Sequence, residues 1–201
     1  MILRIVNGQV PAGQLWAVSE VYRRDYAPVA SRTAGLERFV VAVRPIEAGH
    51  EIAAMTIWAS VEAALAAYDG NLAALRTLDG RGHGETLTGV DYYEIDAGGA
   101  RRGTGAATRL RLTAGTVARG LDADIQQDLR RHLPGLPVEA IEAFVGRRVL
   151  GAAVEIALVT TWSSAPHGVS LDQPLWPSVA DRYDTFRIAV HDVILEGVGG
   201  G

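Results

Sequence analysis

From Ile2 to Val10 the chain alternates apolar and polar positions and is rich in β-branched residues, the pattern of a half-buried strand. Pro11-Ala12-Gly13 then supplies a turn. Leu15, Val18, Tyr22, Tyr26 and Val29 recur at spacings of three and four, which lays one apolar stripe along a helix. Pro28 is expected to distort or end that helix, because it lacks an N–H and crowds the preceding turn. Phe39 to Arg44 and Glu51 to Trp58 read as two strands joined by a hairpin loop over Pro45 to Gly49. Ser60 is a candidate N-cap, and Glu62 suits the first turn of an Ala-rich helix over Val61 to Tyr68. Asp69-Gly70 interrupts this helix, and Leu72 to Leu78 can resume it. A loop, Arg81-Gly82-His83-Gly84, precedes a fourth strand over Val90 to Asp96. The order β-α-β-β-α-β is that of a ferredoxin-like unit.

The same order begins again after a Gly-, Ala- and Arg-rich stretch. A strand over Leu110 to Val117 leads to a helix over Leu121 to His132, with Asp122 and Asp124 near its start. Pro134-Gly135-Leu136-Pro137 breaks the helix. Val138 to Val145 has two readings, one of which finishes a helix before a strand starts at Ala143. Ala153 to Trp162 is a strand. Pro166, Gly168, Pro174 and Pro177 then stand where the first half has a smooth helix. The second helix should therefore be lost, or reduced to Ser178 to Tyr183. Phe186 to Leu195 is the last strand, and the glycines beyond it read as a frayed tail.

The two halves also match residue by residue. LRIVNGQVPAG at Leu3 to Gly13 meets LRLTAGTVARG at Leu110 to Gly120 at an offset of 107. Glu37-Arg38-Phe39-Val40 meets Glu142-Ala143-Phe144-Val145 at 105. Glu51-Ile52-Ala53 and Thr56-Ile57-Trp58-Ala59-Ser60 meet Glu155-Ile156-Ala157 and Thr160-Thr161-Trp162-Ser163-Ser164 at 104. Matches that keep their order with so little drift predict a duplicated module, since solenoid repeats are shorter. The expected fold is α+β: two ferredoxin-like βαββαβ units in one chain forming a pseudo-dimeric α/β barrel. The units are placed at 1–96 and 109–195, with a linker at 97–108 and a tail at 196–201. As a flexible chain the linker reaches roughly 20 Å.

Composition narrows the chemistry. With a net charge of −4, the 201-residue chain offers no electrostatic case for nucleic acid. It has no cysteine, which excludes disulfides and thiolate catalysis. All 19 basic residues are arginine, so Schiff-base lysines and P-loop lysines are excluded too. Met1 leads straight into ILRIV without a basic leader, and no apolar run reaches membrane-spanning length. A cytoplasmic protein without a membrane partner is expected. The five histidines form no close metal-ligand motif, and no metal is expected.

The first unit resembles the antibiotic biosynthesis monooxygenase family of the dimeric α/β-barrel superfamily. The resemblance is carried by ILRIVNGQVPAG, by Gly35-Leu36-Glu37-Arg38-Phe39, by Thr56-Ile57-Trp58-Ala59-Ser60 entering an Ala-rich helix, and by Val90-Asp91-Tyr92-Tyr93-Glu94. It implies oxygenases that act on polycyclic phenols with no cofactor. It also includes a haem-degrading branch, which this chain resembles least, because VEAALAAYDG holds neither that branch's Trp nor a following His. Family members dimerise to cover an open sheet face; here the second unit can do so within the chain, and a further homodimer is left open.

The partner expected is a small hydrophobic or aromatic molecule, in a cavity between the helices and sheet of the first unit. His83, in a loop between glycines, and Asn7 are the candidate catalytic groups. Tyr22, Tyr26, Trp58, Tyr68 and Arg44 are the candidate substrate-binding groups. Each has a plainer reading: an exposed loop His, core tyrosines, a solvated strand-end Arg, and a Trp that plugs helix onto sheet, as the matching Trp162 suggests. His191, on the last strand, can face either a cavity or the core. A non-catalytic binding or assembly module of the same fold is the alternative function.

Overall fold

The computed structural model describes residues 1–69, 85–98, 105–168 and 170–200. The chain is α+β, with eight antiparallel strands and few helices among the described residues, arranged as two ferredoxin-like units of the dimeric α/β-barrel fold. One compact unit comprises Met1–Tyr92 and His191–Gly201, and the other Tyr93–Val190. No helix among the described residues is long and apolar enough to cross a membrane.

In unit 1, β1 (Ile2–Pro11) and β2 (Leu36–Ile46) both pair with β3 (Gly49–Trp58). The end of β8 (Thr185–Val198) pairs with β2, and the start of β4 (Thr86–Gly98) flanks β1. These strands extend past the sequence expectation because ladder partners, not side-chain pattern, set where a strand stops. β8 reaches Val198 because Arg38 is paired with it. Among the described residues, helices α1 (Leu15–Val21), α2 (Ala27–Ala30) and α3 (Val61–Asp69) cover one face.

Pro28 does not end the first helix. A π-helical turn over Tyr22–Tyr26 precedes it, closed by the Ala27 N–H on the Tyr22 carbonyl, and Pro28 falls in the first turn of α2. A proline is tolerated there because first-turn N–H groups have no partner inside the helix. The helix stripe buries Val18 against Val10, Val41, Val43 and Ile52. Trp58, Phe39, Leu36 and Ala30 form the adjoining cluster.

Unit 2 repeats the pairing pattern. β5 (Arg109–Ala118) and β6 (Ala140–Leu150) both pair with β7 (Ala153–Trp162). Trp58 and Trp162 take the same register, and each neighbouring strand has an irregularity just after the Trp partner, between Leu36 and Arg38 and between Ala140 and Glu142. β6 therefore starts at Ala140, and the stretch after Pro137 contributes no helix turn. Gly13 and Gly120, matched in sequence, both close the first turn with positive φ, 83° and 105°. α4 (Asp122–His132) packs Ile125 and Leu129 on Val117, Val145, Val154 and Leu158. Only four residues of a second helix form, α5 (Pro177–Ala180).

Candidate functional site

In unit 1 the strand register separates the sequence-derived candidates. Asn7 pairs with Ala53 and Gln9 with Glu51, while Gly8 pairs with Ile52. Ile52 and Ala54 pack with Tyr22 on the helix-covered face. Since strand side chains alternate, Asn7 lies on the opposite face with Glu51, away from Tyr22 and Tyr26.

Tyr22 and Tyr26 meet edge to face, with ring centroids 5.6 Å apart, and Tyr26 meets Phe39 in the same way at 5.7 Å. The Tyr22 hydroxyl donates to Glu85 Oε1 over 3.1 Å. Trp58 is fully buried, and its indole N–H donates to Thr56 Oγ1 at 2.9 Å. Trp162 does the same with Thr160 Oγ1 at 2.7 Å, so both aromatic plugs satisfy their one polar atom within their own strand. Tyr68 lies in α3, but its side chain is outside the described residues, as is the whole of His83.

Arg44 is joined to Glu51 by a two-bond fork, Nε to Oε1 at 3.0 Å and Nη2 to Oε2 at 2.8 Å. His191, buried on β8, places Nε2 3.0 Å from Glu51 Oε1. Burial would push the Glu51 carboxyl up, but the bonds from Arg44 and His191 outweigh it and hold it below its ordinary value. Burial pushes the His191 imidazole down, against the pull of Glu51. A charged Glu51 beside a neutral His191 makes Nε2–H the donor, and His191 Nδ1 is then a buried acceptor with no partner.

Unit 2 has the corresponding node. Arg148 Nε reaches Glu155 Oε2 at 2.8 Å, while Arg187 Nη2 lies 2.6 Å from Oε1 and the Tyr93 hydroxyl donates to Oε1 over 3.3 Å. Arg44/Arg148 and Glu51/Glu155 share the offset of 104, a signal that sequence reading could have used. The third members, His191, Arg187 and Tyr93, come from remote strands that no local spacing reveals.

The described residues also form a cleft in unit 2, between α4, the α5 segment and the sheet. It has about 290 Å³ of empty space, part of it open to solvent. Arg111 and Thr113 line it, with Leu129, Leu158, Trp176, Tyr183 and Phe186 among its walls. Its construction follows from the prolines. Where a regular helix fails to form, backbone carbonyls lose helical donors and need others. Arg111 supplies them, Nε to the Leu171 carbonyl at 2.9 Å and Nη2 to that of Gln173 at 3.0 Å.

Arg111 is only 1% exposed, and burial lowers its pKa to about 10, so it stays a cation at neutral pH. Its Nη1 has no hydrogen-bond partner, and neither does the buried Thr113 Oγ1. Tyr183 closes one wall by lying on Gly115, where a Cβ would come within 2.3 Å of the ring. Burial pushes its phenol up, so it does not ionise near neutral pH. The sequence-matched Arg4 behaves differently, donating from Nε to the Tyr92 hydroxyl at 3.1 Å.

No family model matches the chain, and no curated protein matches it. Solved structures do match in fold. A candidate monooxygenase of Fusobacterium nucleatum superposes with a TM-score of 0.75 at 11% identity, covering 100% of this chain and 95% of that one. An anthrone oxidase-like protein gives 0.61 at 16% identity, covering 100% and 94%. A candidate monooxygenase of Lactobacillus acidophilus gives 0.62 at 7%, covering 100% and 98%. At these identities the likeness establishes a shared dimeric α/β-barrel fold, the one that these monooxygenase-like proteins use.

Proposed function

We propose that the chain is a monooxygenase-like enzyme that acts on a small aromatic or polyketide-type molecule without a cofactor, a tandem-duplicated relative of the antibiotic biosynthesis monooxygenases. The observation that carries this reading is the unit 2 cleft: a buried, still-cationic guanidinium beside aromatic walls, in a fold shared with an anthrone oxidase-like protein. Such a site favours the anion of an electron-rich phenol over its neutral form. The anion can then reduce oxygen directly. One oxygen atom replaces the two hydrogens of a ring methylene to give a ketone, and the other leaves as water. Apolar walls orient the ring.

A second proposed location for the same chemistry is unit 1, with His83 as the base and Tyr22, Tyr26, Trp58 and Tyr68 as substrate-binding residues, while Asn7 and Arg44 belong to the opposite face of its sheet. Oxygen uptake by purified protein, with quinols and polycyclic phenols and no added cofactor, tests the activity. Loss of turnover in Thr113→Val but not in His83→Ala assigns it to unit 2; the reverse assigns it to unit 1. No oxygen uptake with any of these substrates overturns the reading. We also propose that the second unit replaces the partner subunit of single-unit relatives.

A second reading, a non-catalytic binding module, is favoured by one observation. The cleft is lined by neither a carboxylate nor an imidazole, so it offers no side chain to take up a proton near neutral pH. Ligand binding without oxygen uptake is its signature.

A further inference from the structure

We infer that residues 170–176 form a strap over the unit 2 cleft, latched shut by Arg111, and that the strap must open for a ring to enter. This rests on the cleft being the ligand site of the proposed function, and adds how that site is reached.

As it stands, the cleft encloses room for about one water molecule, too little for a ring. Arg111 Nη1 and Thr113 Oγ1 are both closed to solvent. The walls divide into two parts. Pro174, Leu175 and Trp176 belong to the strap, while Arg111, Thr113 and Leu158 belong to the sheet beneath it. Lifting the first part uncovers the second. The strap has neither helix nor ladder to hold it. Among the described residues, the backbone bond inside it runs from the Gln173 N–H to the Ser170 carbonyl at 3.3 Å, and Pro174 has no N–H to give. Of its side chains only Leu171 is buried, against Ala140 and Trp162, and Trp176 stacks on His132 with ring centroids 5.1 Å apart. The strongest hold comes from one residue of β5. Arg111 donates to the Leu171 and Gln173 carbonyls, and Asp172 between them opposes its charge. Three consecutive strap residues thus meet a single guanidinium, so one break frees them together. Segments with few buried contacts and few backbone bonds open at free energies well below that of global unfolding.

Hydrogen exchange of the full chain, followed by NMR in a series of low urea concentrations, tests the opening. The Arg111 Nε–H and the Gln173 amide should exchange at least about a hundredfold faster than the ladder amides of β5 and β7. Urea should speed the ladder amides and leave the two strap protons almost unchanged, because a local opening exposes little surface. Arg111→Gln removes two charged hydrogen bonds and should speed the Gln173 amide at least about tenfold. Neutral 1-naphthol, titrated by calorimetry, then separates a latch from an anchor. A latch holds the cleft closed, so Arg111→Gln should bind naphthol at least about threefold tighter as the open fraction rises. An anchor predicts the reverse. If Arg111→Gln does not fold, Leu171→Ala loosens the strap from Ala140 and Trp162 without touching the cleft walls, and should shift both readings the same way. Strap protons that follow the ladder amides in rate and urea dependence overturn the inference. So does naphthol binding that neither variant tightens, or no naphthol binding by any of these proteins. Local opening in a protein without oxygen uptake sinks the enzyme reading alone. Oxygen uptake in a protein whose strap protons open only with the ladder sinks the strap alone.

Discussion

His191 and Glu51 each shift the other's titration, and this ties stability to pH. The groups around the imidazole are Glu51 on β3, Arg44 on β2 and Asp192 on its own strand. Because the folded imidazole lies below its unfolded value, the unfolded chain binds protons first as pH falls below about 6.5. The His191 contribution is therefore complete above that value and lost as pH drops toward the folded pKa. Glu51, also depressed, contributes fully above about pH 4.3 and loses its contribution as pH falls through its folded pKa. Urea midpoints measured across this range should fall in two stages, and His191→Gln should remove the upper one only. An upper stage that persists in the variant means that another group titrates there. This pair could not be read from the sequence, because 140 residues separate its members. The paired tryptophans could, since they recur at a fixed offset with a Thr two residues before each. Trp58→Ala and Trp162→Ala should each cost about 3–5 kcal/mol in chemical denaturation. A loss well under 1 kcal/mol in either would show that the plug is not part of the core.

At the scale of elements, the prolines after Trp162 were legible as the loss of a helix, and only Pro177–Ala180 is helical. What replaced the helix was not legible. The cleft arises because Arg111 satisfies loop carbonyls and Tyr183 lies against Gly115, and both contacts depend on where an irregular segment comes to rest. The Gly8/Gly115 identity marks the position without revealing that the two glycines meet different neighbours. A Cβ on Gly115 would come within 2.3 Å of the Tyr183 ring and 2.5 Å of the Thr185 carbonyl, whereas one on Gly8 would meet nothing nearer than 3.1 Å. Gly115→Ala should therefore destabilise by about 1–3 kcal/mol, as overpacking does, and Gly8→Ala by less. Thermal melts of the two variants decide this, and equal melting temperatures would show that the Tyr183 wall gives way at no cost. Strand interiors were read correctly from alternation. Strand ends were not, since β6 starts at Ala140 and β8 ends at Val198 where their neighbours offer hydrogen bonds.

For the whole molecule, the division of the chain into units differs from a cut at the linker. Unit 1 takes in His191–Gly201 from the far end of the sequence, and β4 and β8 each begin in one unit and end in the other. Residues 1–96 alone would lack the partner of β2, whose pairs run from Arg38↔Val198 to Val43↔Asp192. They would also lose Gly197, which lies against the Phe39 ring, and the Glu196 carboxylate that pairs with Arg38. An edge strand stripped in this way presents unpaired N–H and C=O groups and a row of apolar side chains, which invites association. The fragment is thus expected to self-associate or to melt without cooperativity, whereas co-expression with residues 97–201 should recover a soluble complex of one copy of each. Sedimentation and thermal unfolding of the fragment, alone and with its complement, test this. A soluble, monomeric fragment 1–96 with a cooperative melt would show that unit 1 needs no strand from the C-terminal end, and the proposal that the second unit replaces a partner subunit would fail with it.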